Sequence, residues 1–462
     1  MAISNWRRWV EETFAGSAAV STRRKQGQAF GWTLAGTLVT QLGTYLTIVL
    51  LTRTLGIEDY GRLATIQATL AGAFGVANLG TGITATRFVL RYLRDDPDRA
   101  GRILGLSASL AWLSGLLITA GIWSQSDWIA SQIFRRPDLS DPLRWSSVGC
   151  LLLTVNANLT GALLGFQAFG GLMRVQLIHS LGSIMFTILL VRSLAFHGAV
   201  LALPLNAAFG WMILNWAART QCRSHQVRVT YWKAWSERNI LQEFALPAAA
   251  SGMVASVSVW SAQMLLLRSE MGVTDMGAWT AAQGMRAMVL FAPGILTRIS
   301  GPILAELHDQ NNTEGYRQAL WNTALLASAS TLVVGGILWA VSSWLVLVLG
   351  NDFSAARSIL PLTFLSATFE SFASSVSISL LADGKLRRQV FVMAGWGITL
   401  VLTAHLTVPW FGPNGLAFAY VCSWLFTCVA YTRIAKGLLK SHAGSCAQAS
   451  QSSVFRLISQ KS

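Results

Sequence analysis

The chain repeats itself. Gly56-Ile57-Glu58-Asp59-Tyr60-Gly61 recurs as Gly272-Val273-Thr274-Asp275-Met276-Gly277, an offset of 216 residues from Asp59 to Asp275. The same offset carries Gln67 onto Gln283, Trp128 onto Trp344 and the Leu163-Leu164 pair onto Ser379-Leu380. A register held over the length of a half requires two related units. Repeats this long, made of apolar segments, are the pattern of paired transporter halves with a substrate path between them.

The solvent of these units is lipid. The chain is 53% hydrophobic and 12% charged, where a soluble domain carries about 25% charged residues. Twelve runs have the roughly twenty residues that a crossing needs: 28–51, 61–86, 103–124, 145–167, 175–196, 198–218, 241–267, 277–305, 319–343, 358–381, 389–410 and 414–436. The expected fold is an all-α integral membrane protein: two pseudo-symmetric six-helix lobes about a central cavity. It divides into an N-terminal segment (1–27), an N-lobe (28–218), a linker (219–240), a C-lobe (241–436) and a tail (437–462). Trp6, Trp9, Val10 and Phe14 suit a short interfacial helix in the N-terminal segment.

Net charge is +15. With a cytoplasmic N-terminus, 24 Lys and Arg fall on the inside and 8 outside, leaving Arg87, Arg286 and Arg298 within helices. That bias predicts both termini in the cytoplasm and explains the basic pI without nucleic acid. The linker holds Arg219, Arg223, Arg228, Lys233 and Arg238 with Trp232 and Trp235 between them. Beside a membrane, such interleaving predicts headgroup anchoring. Thr22-Arg23-Arg24-Lys25 reads as the positive flank of the first helix, and no cleavable signal peptide is expected.

Catalytic chemistry finds no foothold. No loop exceeds about 20 residues, and there is no P-loop. Asp96-Pro97-Asp98 matches a bare Asp-x-Asp pattern without a fold around it. The five cysteines follow neither a metal nor a disulfide spacing. No catalytic residue, metal or cofactor is expected.

Several stretches resemble one family. Gln26-Gly27 opens a Thr-rich first helix that ends in Leu51-Thr52-Arg53-Thr54-Leu55-Gly56-Ile57-Glu58-Asp59-Tyr60-Gly61. Leu347-Val348-Leu349-Gly350-Asn351-Asp352-Phe353-Ser354-Ala355-Ala356 precedes helix ten, and Leu380-Leu381-Ala382-Asp383-Gly384-Lys385 follows it. His197-Gly198-Ala199-Val200 and Asn414-Gly415-Leu416-Ala417 start helices six and twelve. Together these resemble the polysaccharide-exporting flippases of the multidrug/oligosaccharidyl-lipid/polysaccharide superfamily. The resemblance implies alternating access and an undecaprenyl-diphosphate-linked oligosaccharide moved from the cytoplasmic to the periplasmic leaflet, for surface or exopolysaccharide synthesis. Its partners would be membrane lipids, a polysaccharide polymerase and glycosyltransferases. The drive would be membrane potential or a proton or sodium gradient.

Polar residues inside spans supply the candidate sites. Thr33, Thr37, Thr40, Thr44 and Thr47 share one face of helix one, and Thr363, Ser366, Glu370, Ser374 and Ser377 one face of helix ten. Each stripe either lines a cavity or packs helices closely. Arg286, one turn from Gln283, is a candidate for the diphosphate, helped by Arg87, Arg298, Gln67, Thr37 and Thr44, because a planar guanidinium gives paired bonds to phosphate. Arg87 and Arg298 equally suit snorkelling to headgroups. Glu370 is the one acid deep in a span, where a charge costs about 2.5–3.5 kcal/mol. It is either an ion-coupling site or a structural carboxyl, protonated or paired with an arginine. His179 is a second coupling candidate or a packing residue. Pro247 and Pro293 are candidate hinges. Two other functions compete: a drug/cation antiporter of the same fold, which needs an acid-rich first half, and a polysaccharide polymerase or ligase, which needs a long external loop.

Overall fold

The computed structural model describes residues 20–232, 234–238, 245–310, 313–350, 353–382 and 386–459, with side chains from residue 41 onward outside a few stretches. Among these residues the chain is helical and has no strand. Its helices are α1 (Val20–Ala77), α2 (Thr81–Tyr92), α3 (Pro97–Trp128), α4 (Ser140–Gly165), α5 (Phe169–Ser224), α6 (Leu246–Leu267), α7 (Gly272–Val289), α8 (Phe291–Asp309), α9 (Thr313–Ala340), α10 (Ser342–Leu349), α11 (Ser354–Ala382) and α12 (Leu386–Ser459).

Bilayer thickness dictates how these helices divide. The 56 residues of α5 would run roughly 84 Å as one helix at 1.5 Å per residue, nearly three times the ~30 Å hydrocarbon core. The chain therefore reverses inside the long helices, at Gly56 in α1, Ala195 in α5 and Gly412 in α12. Elsewhere two helices make one span. The second part of α1 continues into α2 through a bend of 44°, and α7 continues into α8 across Leu290. Seven helices are long and apolar enough to cross a membrane by themselves. Dividing the two double-length ones and adding spans 20–55, 57–92 and 272–309 gives twelve, six on each side of the linker.

The helix limits bear on several expectations. Span eight is two helices, not one kinked at Pro293. Pro293 falls in the first turn of α8, and Pro247 in the first turn of α6, where a missing N–H costs little. Neither is a mid-helix hinge. α5 runs on to Ser224, so the first residues of the expected linker (219–240) are helical. The expected interfacial helix at Trp6–Phe14 lies outside the described residues.

The molecule turns large apolar side chains outward, as a lipid solvent allows, and buries hydroxyl groups within an otherwise apolar core. Leu117, Leu181 and Leu406 are exposed, while Thr65, Ser146, Thr154, Thr331, Ser423 and Thr427 are fully buried. The buried hydroxyls donate to carbonyls one turn back, as in Thr154 to Cys150 (2.9 Å) and Thr427 to Ser423 (2.9 Å). Hydroxyls bonded in this way bring no unpaired donor to a helix contact.

The two reversals between the last spans of each lobe are equivalent. Ala195 (φ 46, ψ −122) has nearly the backbone of Gly412 (φ 52, ψ −129). Glycine adopts that conformation freely, whereas a Cβ makes it cost about 1–3 kcal/mol. Ala195→Gly is therefore expected to raise the thermal midpoint by about 1–3 °C, and Gly412→Ala to lower it by a similar amount. Melting of the purified protein checks both signs.

The two copies of the repeat pack on each other. A Cβ on Gly61 would collide with the carbonyl oxygen of Val273, and one on Gly277 would lie 2.7 Å from that of Ile57. The offset that relates Gly61 to Gly277 also relates Ile57 to Val273, so this is a two-fold contact within one chain. Around it, Tyr60 meets Phe353 edge-on with ring centres 5.7 Å apart. Arg53 donates from Nε to the Val348 carbonyl (2.7 Å) and from its guanidinium to that of Leu347 (3.3 Å). A cation thereby caps the C-terminus of α10 from the other lobe. The seam continues along α6, where the Trp260 indole donates to Thr69 Oγ1 (3.2 Å). α8, by contrast, packs on α9 and α11 of its own lobe. The lobes thus join on the side of the Gly56 turn and along α1 and α6.

Candidate functional site

The C-lobe holds a buried ion pair. In α7, Trp279, Gln283 and Arg286 share a face by helical spacing. In α11, Ser366 and Glu370 lie one turn apart. Packing of α7 against α11 brings these faces together. The Arg286 guanidinium is bonded to Glu370 Oε2, and its Nε donates to Ser366 Oγ at 3.3 Å. Arg286 is 9% exposed, and the Glu370 side chain 24%.

An aromatic cluster adjoins the pair through Tyr420. The Arg286 guanidinium sits 5.8 Å from the centre of the Tyr420 ring. Tyr420 in turn packs against Trp279 (5.3 Å) and Trp396 (6.4 Å), and Trp396 against Trp424 (5.2 Å). The indole N–H groups of Trp279, Trp396 and Trp424 are buried and find no acceptor among the described residues. The Arg286 guanidinium is thus a charged donor group with one carboxylate partner, set against an aromatic face inside the lobe. Chemically, it favours an anion or hydroxyl-rich guest.

The pair belongs to one lobe only. At the repeat offset Arg286 corresponds to Leu70. α4, which corresponds to α11, carries its single acid, Asp141, in its first turn.

Other predicted residues fall elsewhere. Gln283 and Gln67 are half-buried, and no contact joins them to the pair. Thr44 is exposed on α1, while the side chains of Thr37 and Arg298 lie outside the described residues. Arg87 is exposed near the linker-side end of its span, with its guanidinium 6.0 Å from the Phe88 ring. His179 is in the other lobe from Glu370. Its Nε2 lies 3.1 Å from the Asn206 carbonyl and 3.3 Å from Ser183 Oγ, and its ring stacks on Phe209. These contacts tie spans five and six together and give His179 a packing role. The helix-ten stripe divides: Thr363 and Ser366 are fully buried among helices, while Glu370, Ser374 and Ser377 are partly open. Trp279, Tyr420 and Trp396 were not expected at the site, because aromatic residues at helical spacing read as ordinary core. The one signal for them is the placement of Trp279 seven residues before Arg286.

Solved structures with this fold are transporters. An inward-facing multidrug resistance MATE family transporter of the MOP superfamily aligns with a TM-score of 0.73 at 14% identity, covering 87% of this chain and 96% of that one. A MOP superfamily transporter from Pyrococcus furiosus, described by a binding pocket of reverse polarity, aligns at 0.69 and 15% identity (90% and 95% covered). The eukaryotic MATE transporter AtDTX14 aligns at 0.68 and 13% identity (90% and 98% covered). No relative among curated proteins matches the sequence. The sequence itself matches a family across residues 27–308, well over half its length. With twelve spans in two lobes and a transporter fold, this multi-pass membrane protein belongs to the polysaccharide biosynthesis protein family.

Proposed function

We propose that the protein flips an undecaprenyl-diphosphate-linked oligosaccharide from the cytoplasmic to the periplasmic leaflet of a bacterial inner membrane. The observation that carries this reading is the buried Arg286, held by a single carboxylate inside the C-lobe. The linker side is then cytoplasmic. Arg87 and Arg298, toward that side, meet the diphosphate first, and Arg286 takes it up as Glu370 yields. The sugar follows the diphosphate through the space between the lobes, while the lipid tail stays in the bilayer. Rocking of the lobes then re-exposes the site. With a negative interior, an outward-moving diphosphate of roughly two charges gains about 2.3 kcal/mol per charge per 100 mV. Glycosyltransferases would supply this cargo and a polymerase would consume it.

Deleting the gene should make a diphosphate-linked oligosaccharide accumulate, detectable by mass spectrometry of extracted lipids. Unchanged lipid-linked oligosaccharide together with normal surface polysaccharide would refute the assignment.

A drug/cation antiporter is the second reading, favoured by the partly open Glu370 carboxylate. It predicts efflux of cationic dyes that stops with Glu370→Gln. The diphosphate reading predicts no dye efflux from either protein.

A further inference from the structure

The linker is docked along the flank of one lobe. After α5 ends, Val227 is buried with Ala85, Val89, Ala100, Leu104 and Phe166, which belong to α2, α3 and the end of α4. The chain then climbs α3. Thr230 N donates to the Gly101 carbonyl (3.3 Å), and a Cβ on Gly105 would collide with the Thr230 carbonyl oxygen. Glu237, itself buried, is clamped by Arg99 (3.2 Å) and Arg102 (3.3 Å) at the start of α3. Gly105 is two residues inside the apolar run that begins at 103. Tyr231 and Trp232 therefore stand at the level where hydrocarbon begins, beside the helix rather than beneath it.

What the docked linker turns outward is aromatic and basic. Trp232 is 98% exposed, Trp235 and Tyr231 are also exposed, and so are Arg219, Arg223, Arg228 and Arg238. Glu237 is the only acid from 219 to 238, and it faces inward. An indole at the hydrocarbon border with guanidinium groups around it matches a leaflet surface of anionic phospholipid in depth and in charge.

We propose that this linker is a lipid-docking element. Tyr231, Trp232 and Trp235 insert at the headgroup level of the linker-side leaflet, and Arg228 and Arg238 bind the phosphates of anionic phospholipids. Because Glu237 fixes the linker to α3, the N-lobe is the lobe held to the leaflet.

The test is labelling of a Trp232→Cys variant by a water-soluble maleimide, read at the peptide carrying residue 232. The full-length protein is held in nanodiscs of phosphatidylcholine alone or with phosphatidylglycerol. At about a factor of five for each basic residue engaged, labelling should be at least about fivefold slower with phosphatidylglycerol. Adding Arg228→Gln and Arg238→Gln should remove that difference. Adding Glu237→Gln should speed labelling in both lipids by releasing the linker. Equal, fast labelling in both nanodiscs would overturn the proposal. So would protection by a cytosolic extract but not by lipid, which would mark a protein-binding surface. Labelling is independent of export, so the result stands apart from the identity of the cargo.

Discussion

Replacing Gly61 with alanine is expected to cut export sharply. The added Cβ would meet the Val273 carbonyl, which is backbone and cannot rotate aside. Overpacking of this kind costs about 1–3 kcal/mol. Here the strain falls where the two lobes touch, beside the Arg53 cap and the Tyr60–Phe353 contact. The turn-side ends of the lobes then close less readily, and export should fall by about 5- to 100-fold, as about 1–3 kcal/mol against one of two states implies. Gly277→Ala, whose Cβ would sit 2.7 Å from the Ile57 carbonyl, should show a smaller loss of the same kind. Gly121→Ala in α3, with no atom within 4 Å of its Cβ, should export normally. Spin labels on the turn-side ends of the lobes would read the separation directly. Normal export with unchanged distances in Gly61→Ala would show that the seam has no part in transport.

Glu370→Gln is expected to destabilise the protein and to make it respond to diphosphate. Removing one partner of a buried pair costs about 3–5 kcal/mol, because the other charge is left uncompensated. Arg286 would then keep only Ser366 and the face of Tyr420. Inorganic diphosphate should raise the melting point of Glu370→Gln by several degrees, restoring most of what the substitution lost. It should shift the wild type much less, since there the carboxylate competes for the guanidinium. A variant destabilised to the same degree but unresponsive to diphosphate would leave the pair a structural brace.

The repeat and the apolar runs made the architecture legible, because a long-period signal and a fixed bilayer thickness leave few alternatives. Helix limits were less so. Ala195 carries no turn signature, and its reversal follows from the length of α5 rather than from its side chain. The repeat was visible at Gly61 and Gly277, yet sequence does not say that the two copies touch each other. Arg286 and Glu370 stood out as opposite charges deep in spans of one half, with an arginine partner for Glu370 among the open alternatives. Their pairing depends on how α7 crosses α11, which no local pattern encodes. For His179 two readings were open, a coupling candidate and a packing residue, and its partners Asn206 and Ser183 are ordinary polar residues on the following span and its own, which no sequence pattern singles out. The linker's bases and tryptophans were legible as a membrane anchor. Its clamp was not, since Arg99, Arg102 and Glu237 are far apart in sequence.

The most direct test of the account exchanges the two charges, with Arg286→Glu and Glu370→Arg in one chain reconstituted into vesicles. Flipping of a diphosphate-linked oligosaccharide is then followed under an imposed potential without ion gradients. The account predicts a folded protein that melts within a few degrees of wild type, because the pair is kept, but that does not flip its cargo, because the cation has moved from α7 beside Tyr420 to α11. Flipping at the wild-type rate by the exchanged protein would contradict it.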